Sequence, residues 1–202
     1  MISNANIRAK AREILGKDIF KASWLYPVLI MVIIACLNGA LAATYVGPIV
    51  IAGLLSVASA RYFMGRVRGD IMPEKIESSI EGVKNNFVGS LLTGILYTVF
   101  VAVGSMILVI PGIIFSLSFS MAYYIINDHP EMSAMDALRE SRRLMNGHKM
   151  QFFMLNLSFI GWAIVGAACF GVGTLWVSSY MSTAHAVFYE ELIAMDQGSI
   201  EV

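Results

Sequence analysis

The stretch that decides the fold runs from Asn85 to Asn127, NNFVGSLLTGILYTVFVAVGSMILVIPGIIFSLSFSMAYYIIN, and its 43 residues include no Asp, Glu, Lys or Arg. Two further charge-free stretches flank it, Ala22–Ala60 with 39 residues and Met150–Tyr189 with 40. The 14 basic and 14 acidic side chains all lie in four short blocks outside them. Because a membrane-crossing helix needs roughly 20 apolar residues, each stretch is long enough for two crossings joined by an uncharged turn.

Composition supports a membrane protein. The 202 residues are 57% hydrophobic and 14% charged, whereas soluble domains carry about 25% charged residues. The formal net charge is zero, so the chain lacks the basic excess typical of nucleic-acid binding, and no nucleic-acid partner is expected. Cys36 and Cys169 both lie in apolar surroundings, and we interpret them as small buried hydrophobic residues.

Each charge-free stretch divides at a turn signal: Asn38-Gly39 to Gly47-Pro48, Ile110-Pro111-Gly112, and Gly166 to Gly173. The sequence therefore predicts an all-α membrane protein with six transmembrane helices in three hairpins, forming one polytopic domain over residues 1–202. The predicted spans are 24–43, 47–64, 88–109, 111–127, 150–168 and 172–191. All five prolines are expected at segment starts, where a missing N–H costs little, so the spans should have no sharp proline kinks.

The basic residues predict the orientation. Five lie before the first span, five between spans 2 and 3, and four between spans 4 and 5, whereas the three opposite turns have none. Since Lys and Arg concentrate in cytoplasmic loops, both termini are expected in the cytoplasm. A cleaved secretory signal ending at Ala40-Leu41-Ala42 is the alternative for the first span, and it would leave the other five orientations unchanged.

Two cytoplasmic segments are predicted to form amphipathic surface helices. In the N-terminal segment 1–23 the apolar positions are Ile7, Ala11, Ile14 and Leu15. In segment 128–149, Ser133-x-x-Asp136 is typical of a helix start and Asn146-Gly147 of a helix end. There Met135, Leu138 and Met145 are expected on one face, away from Arg139, Glu140 and Arg143. Such helices lie at the membrane surface, with the lipid bilayer and its anionic headgroups as partners.

The sequence predicts no catalytic, cofactor-binding or metal-binding residues. No acidic residue, Lys or Arg is expected at hydrocarbon depth, where transporters, pumps and intramembrane enzymes usually place them. Catalytic signature motifs are missing as well. Asp128-His129-Pro130-Glu131 has metal-capable side chains, but a turn before a helix explains it equally well. We therefore expect a protein that is not an enzyme.

The candidate functional residues are polar groups near the cytoplasmic face: His185, Tyr189, Asn156, Arg139, Arg142 and Arg143. His185 predicts either a pH-sensitive or ligand-contacting site or, as we favour, an interhelical hydrogen bond to Ser or Thr. A polar path between spans 3 and 4, or simple packing, could involve Thr93, Tyr97, Ser116, Ser118 and Ser120. Stripes of small residues favour close helix packing, within one chain or in a homo-oligomer: Ala35/Gly39/Ala43, Ala52/Ser56/Ala60 and Ser178/Ser182/Ala186.

Three Lys-x-x-Phe pairs precede the three hairpins, at Lys17, Lys84 and Lys149. They indicate either a triplicated unit or the ordinary preference of Lys and Phe for membrane interfaces.

The second half of the chain, densest over residues 108–190, resembles a bacterial membrane family known as domain of unknown function 975. The resembling residues are Pro111-Gly112-Ile113, Asp128, Pro130-Glu131, Ser133, Asp136-Ala137-Leu138, Ser141, Gly147-His148-Lys149, Leu157 to Trp162, Gly171, Gly173, Trp176, Thr183-Ala184 and Phe188-Tyr189. The family usually has Pro before the Tyr of span 6, where this chain has Ser179 before Tyr180. The resemblance implies a multi-pass protein of the bacterial plasma membrane, and it brings no activity.

The leading hypothesis is a non-enzymatic membrane module that acts through packing or partner binding in envelope maintenance or regulation. The alternative is a small transporter or lipid-handling protein, which a continuous polar cavity reaching Asn156 or His185 would favour.

Overall fold

The computed structural model describes residues 3–16, 22–41, 47–69, 87–107, 109–168 and 172–198. Within these ranges the chain forms nine helices and no strand, which confirms the all-α prediction. The helices are α1 (Asn4–Leu15), α2 (Ala22–Leu41), α3 (Gly47–Arg68), α4 (Phe87–Ile107), α5 (Val109–Phe119), α6 (Ala122–Asp128), α7 (Ala134–Leu144), α8 (Lys149–Ala168) and α9 (Val172–Gly198).

Two of the described helices are long and apolar enough to cross a membrane. In α4 the window Phe87–Gly104 has a mean hydropathy of 2.0, and in α8 the window Lys149–Ala167 has 1.5. Only 28% and 22% of these windows are buried, unlike the core helices of a soluble protein. In α2, Ser23–Cys36 is a shorter apolar segment. Six crossings remain a prediction.

The predicted fourth span, 111–127, is two helices rather than one. The break between α5 and α6 falls at Ser120 and Met121. There the Ser141 hydroxyl of α7 accepts a hydrogen bond from Met121 N at 3.2 Å and donates one to Ser118 O at 2.9 Å. Because buried backbone groups must be paired, a side chain from another helix stabilises the interruption.

Pro27 lies inside α2 rather than at its start, so the prediction for the prolines is wrong there. Since α2 begins at Ala22, Pro27 is its sixth residue. A proline has no N–H to donate four residues back, which leaves the carbonyl of Ser23 without its intrahelical donor. The Arg66 side chain of α3 supplies one, with Nη1 donating to Ser23 O at 2.6 Å.

The residue contacts cluster into two compact units. Unit 1 comprises Met1–Cys36, Tyr62–Ile76 and Gln151–Val202. In it the amphipathic helix α1 packs on α9 and buries Ile7, Ala11 and Leu15. The predicted N-terminal amphipathic helix therefore exists, and its apolar face is covered by protein; Ile14 is only half-buried.

Unit 2 comprises Leu37–Arg61 and Glu77–Met150. Two glycines bring α3 and α4 into backbone contact, since a Cβ on Gly53 would lie 2.8 Å from the Cα of Gly94. Helix α7 packs on α4, α5 and α6. Their shared core is formed by Phe119, Ala122 and Leu138, with Leu96, Tyr97, Phe100 and Phe115 packed against it.

The structure corrects some predictions about single residues, and others concern residues outside the described ranges. Cys36, in the apolar helix α2, is exposed, not buried. In the stripe Ser178/Ser182/Ala186 only Ala186 is buried; the buried hydroxyls of α9 are those of Ser179 and Thr183. Helix α9 continues through Ser179 without interruption. Cys169 and the Lys-x-x-Phe pairs at Lys17 and Lys84 lie at least partly outside the described residues.

Candidate functional site

Helix α7 begins with the predicted cap. Asp136 N donates to Ser133 Oγ at 3.2 Å, and the Ser133 hydroxyl donates to Asp136 Oδ2 at 2.6 Å. These bonds satisfy a backbone donor that a helix start leaves free. The helix ends at Leu144, two residues before the predicted Asn146-Gly147. Gly147 then adopts a φ of +83°, which favours glycine and allows the turn into α8.

The buried face of α7 differs from the predicted one. Leu138 and Met145 are buried as expected, whereas Met135 is 37% exposed. The buried arc is centred on Ser141, which turns Met135 about 120° away from it at about 100° per residue. The packing against α4–α6 selects this arc, and the spacing of apolar residues alone does not reveal it.

Three arginines are exposed on the face of α7 that also carries Met135. With the next turn and the start of α8 they enclose a concavity of about 380 Å³, lined by Arg139, Arg142, Arg143, Asn146 and Lys149. We call this surface the basic face. Four cations and one amide converge there without a lining carboxylate, so the basic face can bind an anionic group through charge-assisted hydrogen bonds.

Ion pairs within α7 engage two of these arginines. Arg139 Nη1 lies 3.1 Å from Asp136 Oδ1, and Arg143 Nη2 lies 2.6 Å from Glu140 Oε1. Exposed pairs of this kind contribute only about 0–1 kcal/mol, so an incoming anion can compete with them. Within the described ranges Arg142 has no ion pair.

His185 joins α9 to α8 through an amide rather than the predicted hydroxyl. Its Nε2 lies 3.0 Å from Asn156 Oδ1, and Asn156 Nδ2 donates to Phe152 O at 2.8 Å. The His185 ring packs 4.8 Å from that of Phe152, and Tyr189 is 1% exposed. His185 and Asn156 therefore connect α9 to α8, and Tyr189 is buried in α9.

The hydroxyls expected along a polar path bond to their own helices. Thr93, Ser116, Ser118 and Ser120 each donate to a carbonyl three or four residues back, at 2.6–2.9 Å. Such bonds need no water or ligand. Near Asp128, His129 Nδ1 lies 3.3 Å from Glu131 Oε1, and no group of three metal-capable side chains occurs in the part of the chain that the structure describes.

Sequence reasoning missed Arg66, which is only 8% exposed. Besides Ser23 O, its guanidinium donates to Ile14 O at 3.2 Å, one of the last carbonyls of α1, which lack intrahelical donors. Its carbon Cζ lies 5.9 Å from the ring centroid of Tyr62. Burial lowers the pKa of Arg66, and Tyr62 partly opposes this shift. The sequence shows only that Arg66 lies two residues before the end of α3, which does not indicate that it bonds to Ser23 O and Ile14 O.

Sequence reasoning also missed a crevice in unit 1 where the three tryptophans of the chain meet. Two adjoining cavities of about 740 and 530 Å³ share Arg12, Gly16, Trp162 and Tyr180 in their walls. Arg8 and Glu13 also line the larger cavity, and Trp24 and Trp176 line the smaller one. Neither cavity is lined by His185 or Asn156.

Comparison with known proteins identifies one relationship. The family described as protein of unknown function (DUF975) matches residues 94–196, just over half of the chain, which includes α7, α8 and all but the end of α9. No curated protein and no solved structure matches. The expected resemblance is thus confirmed: the chain belongs to the DUF975 family.

Proposed function

We propose that this protein is a multi-pass component of the bacterial cytoplasmic membrane that has no enzymatic activity and docks a partner protein through the basic face of α7. In this proposal the chain crosses the membrane six times in three hairpins, and both termini lie in the cytoplasm. Partner docking serves envelope maintenance or regulation.

The distribution of exposed apolar side chains supports the membrane location. Of the 18 large hydrophobic residues that are exposed within the described ranges, all but Met135 lie in the three charge-free stretches. Examples are Val88 at 65%, Ile164 at 65% and Val165 at 58% exposed. Soluble proteins rarely expose apolar patches of this extent, whereas side chains facing lipid gain nothing from burial in protein.

Reporter fusions test the topology. A reporter active only outside the cytoplasm is attached after residues 45, 108 and 170, and separately after residues 69, 130 and 198. The first group is expected to be active and the second inactive, because all Lys and Arg lie on the second side. Activity after residue 69 or 130 would contradict six crossings with cytoplasmic termini.

The observation that carries the docking proposal is the basic face itself. Met135 is the one exposed large hydrophobic residue of the described chain outside the charge-free stretches. It lies on the same side of α7 as Arg139 and Arg142, four and seven residues away. Protein-binding sites typically combine an apolar contact with arginines that become buried on binding. Because the side chains around Met135 are cationic, an acidic segment of a partner protein fits this surface.

Cross-linking in native membranes tests the docking. A photo-reactive residue at position 135 should give a discrete protein adduct in the otherwise unchanged chain. Changing Arg139, Arg142 and Arg143 together to Gln should remove it, whereas Lys10→Gln, which alters a half-exposed cation on α1, should not. Adducts with lipid alone, or a protein adduct that survives the triple change, would refute partner docking.

A small transporter or lipid-handling protein is the second candidate function. The amphipathic crevice of unit 1 favours its lipid-handling form, since the walls combine arginine with tryptophan. Flux and lipid-transfer measurements in proteoliposomes would distinguish it from a docking module, because a docking module moves neither solute nor lipid.

A further inference from the structure

The crevice of unit 1 has an apolar side made of aromatic rings. Trp24, from α2, is held in place by a hydrogen bond from Nε1 to Gly16 O at 2.8 Å, and its ring lies 6.3 Å from that of Tyr180. Trp162, from α8, is 52% exposed, and Trp176 is half-buried on α9. Three helices thus contribute to one wall, and the rings present an extended apolar surface that an acyl chain can cover.

The other side of the crevice is cationic and belongs to α1. The guanidinium carbon of Arg12 lies 5.7 Å from the ring centroid of Tyr180. The Tyr180 hydroxyl donates to the backbone carbonyl of Arg8 at 2.9 Å, which fixes α1 against α9. Within the described ranges neither Arg8 nor Arg12 has a carboxylate partner. Glu13 is the single acidic side chain in the lining, so the crevice has a net charge of +1.

This arrangement discriminates between occupants. Contact with the Tyr180 ring does not use the N–H groups of Arg12, which can therefore donate to two oxygens of one phosphate. A neutral or cationic amphiphile would leave both arginines unpaired, and a free phosphate would leave the aromatic wall in contact with water. An anionic amphiphile satisfies both sides.

We propose that the crevice between α1 and the α2, α8 and α9 helices binds one anionic phospholipid, with the phosphate at Arg8 and Arg12 and an acyl chain along Trp162 and Trp176. This inference rests on the membrane location proposed above, but not on partner docking through α7. The two adjoining cavities, of about 740 and 530 Å³, share four lining residues, so one elongated occupant can extend through both.

Tryptophan fluorescence reports on this site directly, because the three tryptophans of the chain all line it. The purified full-length protein is placed in neutral phosphatidylcholine bilayers. Small fractions of phosphatidylglycerol or phosphatidylcholine with brominated acyl chains are then added, and bromine quenches a ring that it contacts. A Trp162→Phe variant removes the signal of the exposed ring, so that the remaining quenching comes from Trp24 and Trp176.

Brominated phosphatidylglycerol is expected to reach half-quenching at about a thirtyfold lower fraction than phosphatidylcholine, since each basic group near an anionic lipid contributes about a factor of five. Changing Arg8 and Arg12 to Gln should abolish this preference, and Arg12→Lys should keep most of it. Changing Arg139, Arg142 and Arg143 to Gln should leave the quenching unchanged, because these residues do not line the crevice. Lipid binding in the crevice is thereby tested independently of partner docking on the basic face. Equal quenching by the two lipids in the unsubstituted protein would overturn the proposal.

Discussion

Replacing Arg66 with methionine should release α1 from the rest of unit 1. The guanidinium serves two carbonyls that have lost their intrahelical donors for different reasons. Ser23 O lacks a donor because Pro27 has no N–H, and Ile14 O lacks one because α1 ends at Leu15. Methionine fills similar space but donates nothing, so both carbonyls would stay unpaired.

The expected loss follows from those two carbonyls. A buried acceptor without a donor costs about 1–3 kcal/mol, and removing a buried charge returns part of that cost. Only Ile14 O belongs to α1, so the loss in the free energy of docking α1 should be about 2 kcal/mol, whereas the loss at Ser23 O weakens the contact between α2 and α3. Since every 1.4 kcal/mol is tenfold in an equilibrium constant, amide hydrogen exchange in Asn4–Leu15 should accelerate about 30-fold when measured by mass spectrometry.

The chain offers a matched control and a rescue. Arg68→Met makes the same chemical change two residues later and removes a partly exposed ion pair with Glu190 at 2.7 Å. It should accelerate exchange in α1 less than about fivefold. Pro27→Ala restores an N–H for Ser23 O, so it should slow exchange in the first turns of α2 more in the Arg66→Met background than in the unsubstituted protein. Equal exchange in the Arg66→Met and Arg68→Met variants, or strict additivity with Pro27→Ala, would refute the reasoning.

Two further predictions concern unit 2. Gly94→Ala should lower the free energy of unfolding in detergent by about 1–3 kcal/mol, because the new Cβ would collide with the Cα of Gly53. Gly161→Ala is the control, since a Cβ there meets open space, and it should be neutral or stabilising by up to about 1 kcal/mol. Equal melting temperatures for Gly94→Ala and Gly161→Ala would contradict the close approach of Gly53 and Gly94. Ser141→Ala should cost about 1–3 kcal/mol and speed exchange at the break between α5 and α6, because it leaves both backbone groups there unpaired. Ser158→Ala, which removes only a bond within its own helix, should not, and similar exchange in both variants would count against an interhelical role for Ser141.

The sequence by itself predicted the features that depend on residues close together in the chain. The helical class, the N-terminal amphipathic helix and the Ser133 cap are local, because apolar period and capping side chains act within one or two turns. Membership of the family was likewise readable, since its motifs lie within 108–190. The six crossings stay a prediction from the sequence, and the described residues contain two helices long and apolar enough to cross a membrane.

The tertiary structure decided which side of each helix is covered and which distant groups meet. Met135 is exposed beside the basic face because α4–α6 cover a different arc of α7. Arg66 found two carbonyls 43 and 52 residues away, and the tryptophans met beside α1 from three other helices. Sequence spacing encodes what a side chain can reach within its own helix; contacts between helices depend on how the helices pack, which no local period records.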